Sequence, residues 1–202
     1  MNMNFERTPA SLLILGAILI VSALALWVAP GIKERNLLRP YWLLRKKQYD
    51  TIITCGFVHG DLGHLFFNAL ALFSFGPGLE RQIGTARFVA LYFIGLVLSS
   101  LGTVYKQRNN PDYAALGASG AILAVVFAFV VYFPKNTIFL YFIPMPAVVF
   151  AFVYLGYTMW ASRNRHDNVA HDAHLDGALT GLIFVGLTDF PAWKRAFAMF
   201  LG

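Results

Sequence analysis

Six apolar runs divide this chain, and a run of about 20 apolar residues fits few environments other than a bilayer. They are Leu12–Ala29, Leu62–Leu79, Phe88–Tyr105, Tyr113–Pro134, Thr137–Ser162 and Ala173–Leu187. The second run carries His64 and Asn68. The fifth is interrupted by Pro144 and Pro146, and the sixth carries His174 and Asp176. Polar residues inside a membrane bundle are tolerated when they face its interior. The runs therefore predict six transmembrane helices, near residues 10–29, 62–79, 87–105, 114–133, 146–161 and 172–188. A long basic loop, 30–61, follows the first. The fold class expected is all-α, a polytopic membrane protein forming one domain over residues 1–202. Composition agrees, since 58% of the residues are hydrophobic and 13% charged, against about 25% charged in a soluble domain. The first run, preceded by Arg7, is longer than the h-region of a signal peptide, about 7–15 residues, and reads as a span.

Charge and cysteine content exclude other classes. The net charge of +6 lies between apolar runs, where it meets lipid headgroups rather than nucleic acid. The single cysteine, Cys55, excludes an internal disulfide framework and a cysteine-held metal.

The polar residues then fall into one layer. In a six-span chain all even helices start on the same side. His64 and Asn68 lie near the start of the second helix, Ser119 near the start of the fourth and His174 at the start of the sixth. With its helix starting near 114, Ser119 is expected on the order of 8 Å below the helix start. A serine hydroxyl becomes a nucleophile when a base takes its proton, and histidine is the usual base. Gly117 and Gly120 thin the helix around Ser119, and Gly177 and Gly181 form a GxxxG that lets backbones approach. His64 and Asn68, four apart, share one helix face. They could donate to an oxyanion, together with the backbone N–H of Ser119.

These residues resemble the rhomboid intramembrane serine proteases. The matching stretches are "HGDLGHLFFN" (59–68), "ERQIG" (80–84), "GASG" (117–120) and "AHLDGALTG" (173–181), in family order and spacing. The resemblance implies a six-helix rhomboid-type bundle without a flanking soluble domain, the minimal bacterial form. It implies Ser119 as nucleophile and His174 as base. It implies an oxyanion hole from His64, Asn68 and Ser119, and His59 as a structural residue. Glu80 and Gly84 would end the second helix. The substrates implied are transmembrane proteins cut in or near their helices, with no cofactor and no metal. The membrane implied is a bacterial inner membrane, with both termini cytoplasmic. The resemblance leaves oligomeric state open.

Departures from the family pattern are local. Asp50-Thr51 stands where some bacterial members have Trp-Arg. Leu123 stands where some members stack a tyrosine on the histidine. Asp176 lies about 200° around the helix from His174 and is not a third triad member. Other readings remain beside the protease. A non-catalytic rhomboid-like chaperone or scaffold would usually lack the serine or the histidine. A transporter would be expected to carry paired broken helices. His166, His171 and His174 could bind zinc, though His174 is claimed by the serine. Charge sets a conflict over topology. Ten Lys and Arg lie on the loop 30–61 side and six on the other: Arg7, Arg81, Arg87, Lys135, Lys194 and Arg195. The positive-inside rule would put that loop in the cytoplasm. The resemblance puts it outside, and we follow the resemblance, because a loop of this length can lie in the headgroup layer.

Overall fold

The computed structural model describes residues 8–140, 143–164 and 170–201. It is a helical membrane bundle. Its helices are α1 (Pro9–Ala23, continued by a wider π-type turn over Leu24–Val28), α2 (Gly31–Asn36), α3 (Pro40–Lys46), α4 (Thr51–Thr54), α5 (Leu62–Ile83), α6 (Thr85–Gln107), α7 (Ser119–Tyr132), α8 (Ala147–Asn164), α9 (His171–Thr188) and α10 (Phe190–Leu201). Large apolar side chains such as Leu13, Phe66, Phe67, Phe152, Ile183 and Leu187 point outward. On a chain of this composition such an apolar surface is where lipid belongs.

α7 is the axis of the bundle. Every residue from Gly120 to Val131 is buried, and the helix packs against α9, α6 and α5. It has no polar face because it meets apolar side chains on all sides. Its length departs from the sequence expectation. The helix was expected over 114–133 and runs over 14 residues, beginning at Ser119 itself. The stretch before it is apolar yet extended. Ala115 and Leu38 exchange two backbone hydrogen bonds of 2.9 Å, Gly117 N–H donates to Cys55 O at 2.9 Å, and Gly117 takes φ 109°. These bonds satisfy the backbone without a helical turn. Irregular backbone at membrane depth is tolerated when protein buries it. Ser119 is therefore the first residue of its helix, not a residue a turn and a half inside it.

Among the described residues, three helices are long and apolar enough to cross a membrane alone: Pro9–Val28, Leu62–Ile83 and Thr85–Gln107. α9 passes the same test only with α10, from which it is bent by 107°. α7 and the apolar part of α8 (Ala147–Trp160) are shorter. α10 has no counterpart among the six expected helices. A short hairpin, β1 (Thr137–Leu140) against β2 (Ile143–Pro146), also precedes α8. Pro144 and Pro146 lack N–H groups, which suits them to this edge rather than to a helix, and α8 starts directly after them, as expected. The other ends shift by a few residues. α5, for instance, runs to Ile83, with Pro77 inside it.

Two features fix the frame. Glu80, 1% exposed, does not end α5. Its carboxylate accepts from the N–H groups of Ala10 at 3.1 Å and Ser11 at 2.9 Å, and from Thr85 Oγ1 at 2.8 Å. It therefore caps α1 from another helix, where the free N–H groups and the positive dipole end favour an anion. Gly84, at φ 84°, makes the turn between α5 and α6. The loop 30–61 is itself folded. Arg35 pairs with Asp50 at 2.8 Å and Arg39 with Glu34 at 2.7 Å, while Trp42 Nε1 donates to Pro111 O at 3.2 Å. Asp50, in the first place of the pair where some bacterial members carry Trp-Arg, thus has its own partner. Arg7 lies outside the described residues.

Candidate active site

Ser119 occupies the first position of α7. The first N–H groups of a helix have no partner within it and carry the positive end of the dipole. The hydroxyl and the free donors of α7 therefore share one end of the helix. His174, in the first turn of α9, brings its Nε2 to 2.8 Å from Ser119 Oγ. The helices meet because side chains are missing where they cross. A Cβ on Gly177 would overlap Gly120 O, and one on Gly181 would overlap Ala124 O. Gly120 leaves room for the Ser99 side chain of α6.

The other nitrogen of His174 is occupied as well. Nδ1 lies 3.2 Å from Tyr154 Oη, on α8. The sequence reading gave the histidine no such partner. Asp176, on the same helix, faces Gly102 of α6 instead. The His171 ring stands edge-on to His174, at 6.3 Å between centroids. His166, the third histidine of the zinc reading, lies outside the described residues.

His64 reaches the serine loop from α5. Its N–H is capped by Asp61 Oδ1 at 2.8 Å, and a Cβ on Gly117 would come within 2.5 Å of its ring carbon Cε1. Gly117 thus serves twice, through its positive φ and through the space it leaves for an imidazole. Asn68 sits one turn further along α5, buried, and its Nδ2 donates to His64 O at 3.0 Å. The structure turns this amide onto its own helix.

His59 lies beneath the loop that precedes the serine and is fully buried. Ala118 N–H donates to its Nε2 at 3.4 Å, so the ring proton must sit on Nδ1. Nδ1 then donates to Ser22 Oγ at 2.9 Å, and Ser22 Oγ–H to Phe57 O at 3.0 Å. Each link from Ala118 N–H through His59 and Ser22 to Phe57 O is made with a neutral ring. Burial, with His64 adding to it, pushes the His59 pKa down to about 3. This histidine ties α1 to the residue before Ser119.

Behind the serine is a small cavity of ≈ 30 Å³, lined in part by Ser99, Ser100, Thr103, Cys55 and Ser119. A water needs about 10–15 Å³ of such space and 2–4 polar partners, so the cavity has room for about two.

The fold and site together define an integral membrane helical bundle built around a half-buried serine–histidine contact. The rhomboid domain family matches residues 46–189, and the chain belongs to that family. It is 30% identical over 189 residues to "Rhomboid protein 1, mitochondrial" of Saccharomyces cerevisiae, covering 89% of this chain and 54% of the relative. It is 37% identical over 89 residues to "Putative rhomboid protease YdcA" of Bacillus subtilis, covering 43% and 44%. It is 28% identical over 165 residues to "Rhomboid protease GluP" of the same organism, covering 81% and 30%. The chain thus spans about half the length of these relatives or less. Mitochondrial relatives stand against the expected bacterial inner membrane, and bacterial ones stand beside them.

Proposed function

We propose that this chain is an intramembrane serine endopeptidase that cleaves transmembrane proteins in or near their helices. The observation that carries the reading is the 2.8 Å contact between Ser119 Oγ and His174 Nε2. In the tautomer that serves catalysis, Nε2 is bare and accepts the serine proton as Oγ attacks the scissile carbonyl. The imidazolium then returns that proton to the leaving amine, and water repeats the cycle on the acyl-enzyme. The hydroxyl-lined cavity beside Ser119 can supply that water. The reading takes the whole chain as one rhomboid domain with six membrane passes, α7 and α8 being the short ones. The test is incubation of the purified protein in liposomes with a generic transmembrane substrate, beside Ser119→Ala. Cleavage by both or by neither overturns the reading.

The oxyanion is assigned to the free N–H groups at the start of α7 and to the His64 imidazole, which lies against Gly117. Asn68 joins them if its amide leaves His64 O when substrate binds. Losing one donor of such a hole typically lowers kcat by about 10²–10³. His64→Ala is expected to fall in that range. Asn68→Ala is expected to lose less, because its amide already has a partner. Wild-type rates in both would remove α5 from the site.

The same reading puts both termini in the cytoplasm, with the loop 30–61 on the opposite face. Arg35 and Arg39 pair with Asp50 and Glu34, but the positive-inside rule counts Lys and Arg whatever acids lie beside them, so this orientation rests on the family resemblance. A reporter fused at Gly202 is expected to be active only as a cytoplasmic fusion. Activity on the far side reverses the topology.

A further inference from the structure

A serine–histidine dyad needs something to hold the imidazole, because only one of its two neutral tautomers can act as base. Aspartate often fills that place by accepting from Nδ1. Here Asp176 faces α6, and the position one turn after the serine is Leu123, which offers no hydrogen bond. The group that meets Nδ1 is Tyr154 Oη, at 3.2 Å. Its ring is fixed by packing against Phe150, at 5.6 Å between centroids, and Phe127, at 5.8 Å.

We propose that Tyr154 is the positioning residue that holds His174 in its base tautomer. The inference rests on the protease reading above. A phenol can donate to Nδ1 or accept from it. If it donates, Nδ1 is bare, the ring proton moves to Nε2, and His174 cannot take the serine proton. If it accepts, Nδ1 carries the ring proton and Nε2 is left bare for Ser119, which is the arrangement the protease reading requires. The order is then Ser119 Oγ–H to His174 Nε2 and Nδ1–H to Tyr154 Oη. The nucleophile, the base and the positioning residue come from three different helices, α7, α9 and α8. The base is therefore set correctly only while α8 is docked.

Tyr154→Phe keeps the ring packing and removes the oxygen. It is expected to lower kcat about tenfold, the effect of one such hydrogen bond in a sheltered site, with KM within about twofold. Nitrogen NMR of ¹⁵N-histidine protein reads the tautomer directly. The His174 signal is identified by its loss in His174→Ala. Wild type is expected to show protonated Nδ1, and Tyr154→Phe a mixture of tautomers. A purely structural role would lower thermal stability and leave the tautomer alone. Unchanged kcat and unchanged tautomer in Tyr154→Phe overturn the proposal. The nitrogen spectrum also separates the two readings. If wild type cleaves nothing and is not labelled by a fluorophosphonate, the protease reading fails, while the spectrum still accepts or rejects Tyr154 as the group that sets His174.

Discussion

Ser119→Ala, His174→Ala and the double variant are expected to lose cleavage to one common residual level, about 10⁴-fold or more below wild type in kcat. Neither group activates an acyl transfer alone, so removing the second from a chain that lacks the first changes nothing further. The residual rate belongs to the oxyanion donors and to binding, which both variants keep. A fluorophosphonate is expected to label wild type and neither single variant appreciably. Full cleavage by His174→Ala, or abolition by a chelator, would remove the serine–histidine reading.

The same dyad sets a pH dependence. A protonated His174 cannot accept the serine proton, so activity is expected to fall as pH drops through the pKa that the site gives it. A second histidine acts on the fold rather than on the chemistry. His59 is held neutral, with its pKa near 3 against an ordinary value of 6.5. Between those values the unfolded chain binds a proton that the folded chain refuses. Stability from this group is complete above about 6.5 and declines as pH falls toward 3. Thermal unfolding measured at each pH of the activity profile separates the two. A loss of activity at constant melting temperature belongs to His174, and a loss that follows the melting temperature belongs to the fold.

The serine and the histidine were legible because their surroundings are spelled in glycine. Gly120, Gly177 and Gly181 are costly in helices unless something must come close, and what comes close here is a neighbouring helix, while Gly117, ahead of α7, leaves room for an imidazole. The start of α7 was not legible. Residues 113–118 are as apolar as a helix, and only Leu38, some 77 positions earlier in the chain, shows that they run extended. Glu80 was read as the end of α5 for the same reason, since the α1 N–H groups it caps lie 70 residues away. Tyr154 was invisible within an apolar run that carries two other tyrosines, Tyr141 and Tyr157. A hydroxyl in mid-run was the available signal. α10 was missed because Lys194 and Arg195 break its apolar pattern and it is too short to span.

A single methyl group at the crossing of α7 and α9 is expected to do as much as a change at the site itself. A Cβ at Gly177 would overlap Gly120 O, and one at Gly181 would overlap Ala124 O. Both obstacles are backbone, so no side chain can swing away. The helices must part by on the order of 1 Å to restore ordinary contact distances. Gly177 is three residues from His174, and Gly120 is the residue after Ser119, so that separation falls directly on the 2.8 Å contact. Misplacing reacting groups by about 1 Å typically lowers the rate about 10²-fold. Gly177→Ala is expected to lose about 10²-fold in kcat, and Gly177→Val more. Gly181→Ala, one turn further from the dyad, is expected to lose less activity for a similar fall in melting temperature. Gly186→Ala is the control on the same helix. A Cβ there would meet only Trp193, at 3.7 Å, which is ordinary contact, so activity and melting temperature are expected to stay at wild type. Steady-state cleavage and fluorophosphonate labelling of the three variants, each beside its thermal unfolding, make the comparison. A Gly177→Ala protein as fast as wild type would show that α7 and α9 do not need this contact to bring histidine to serine.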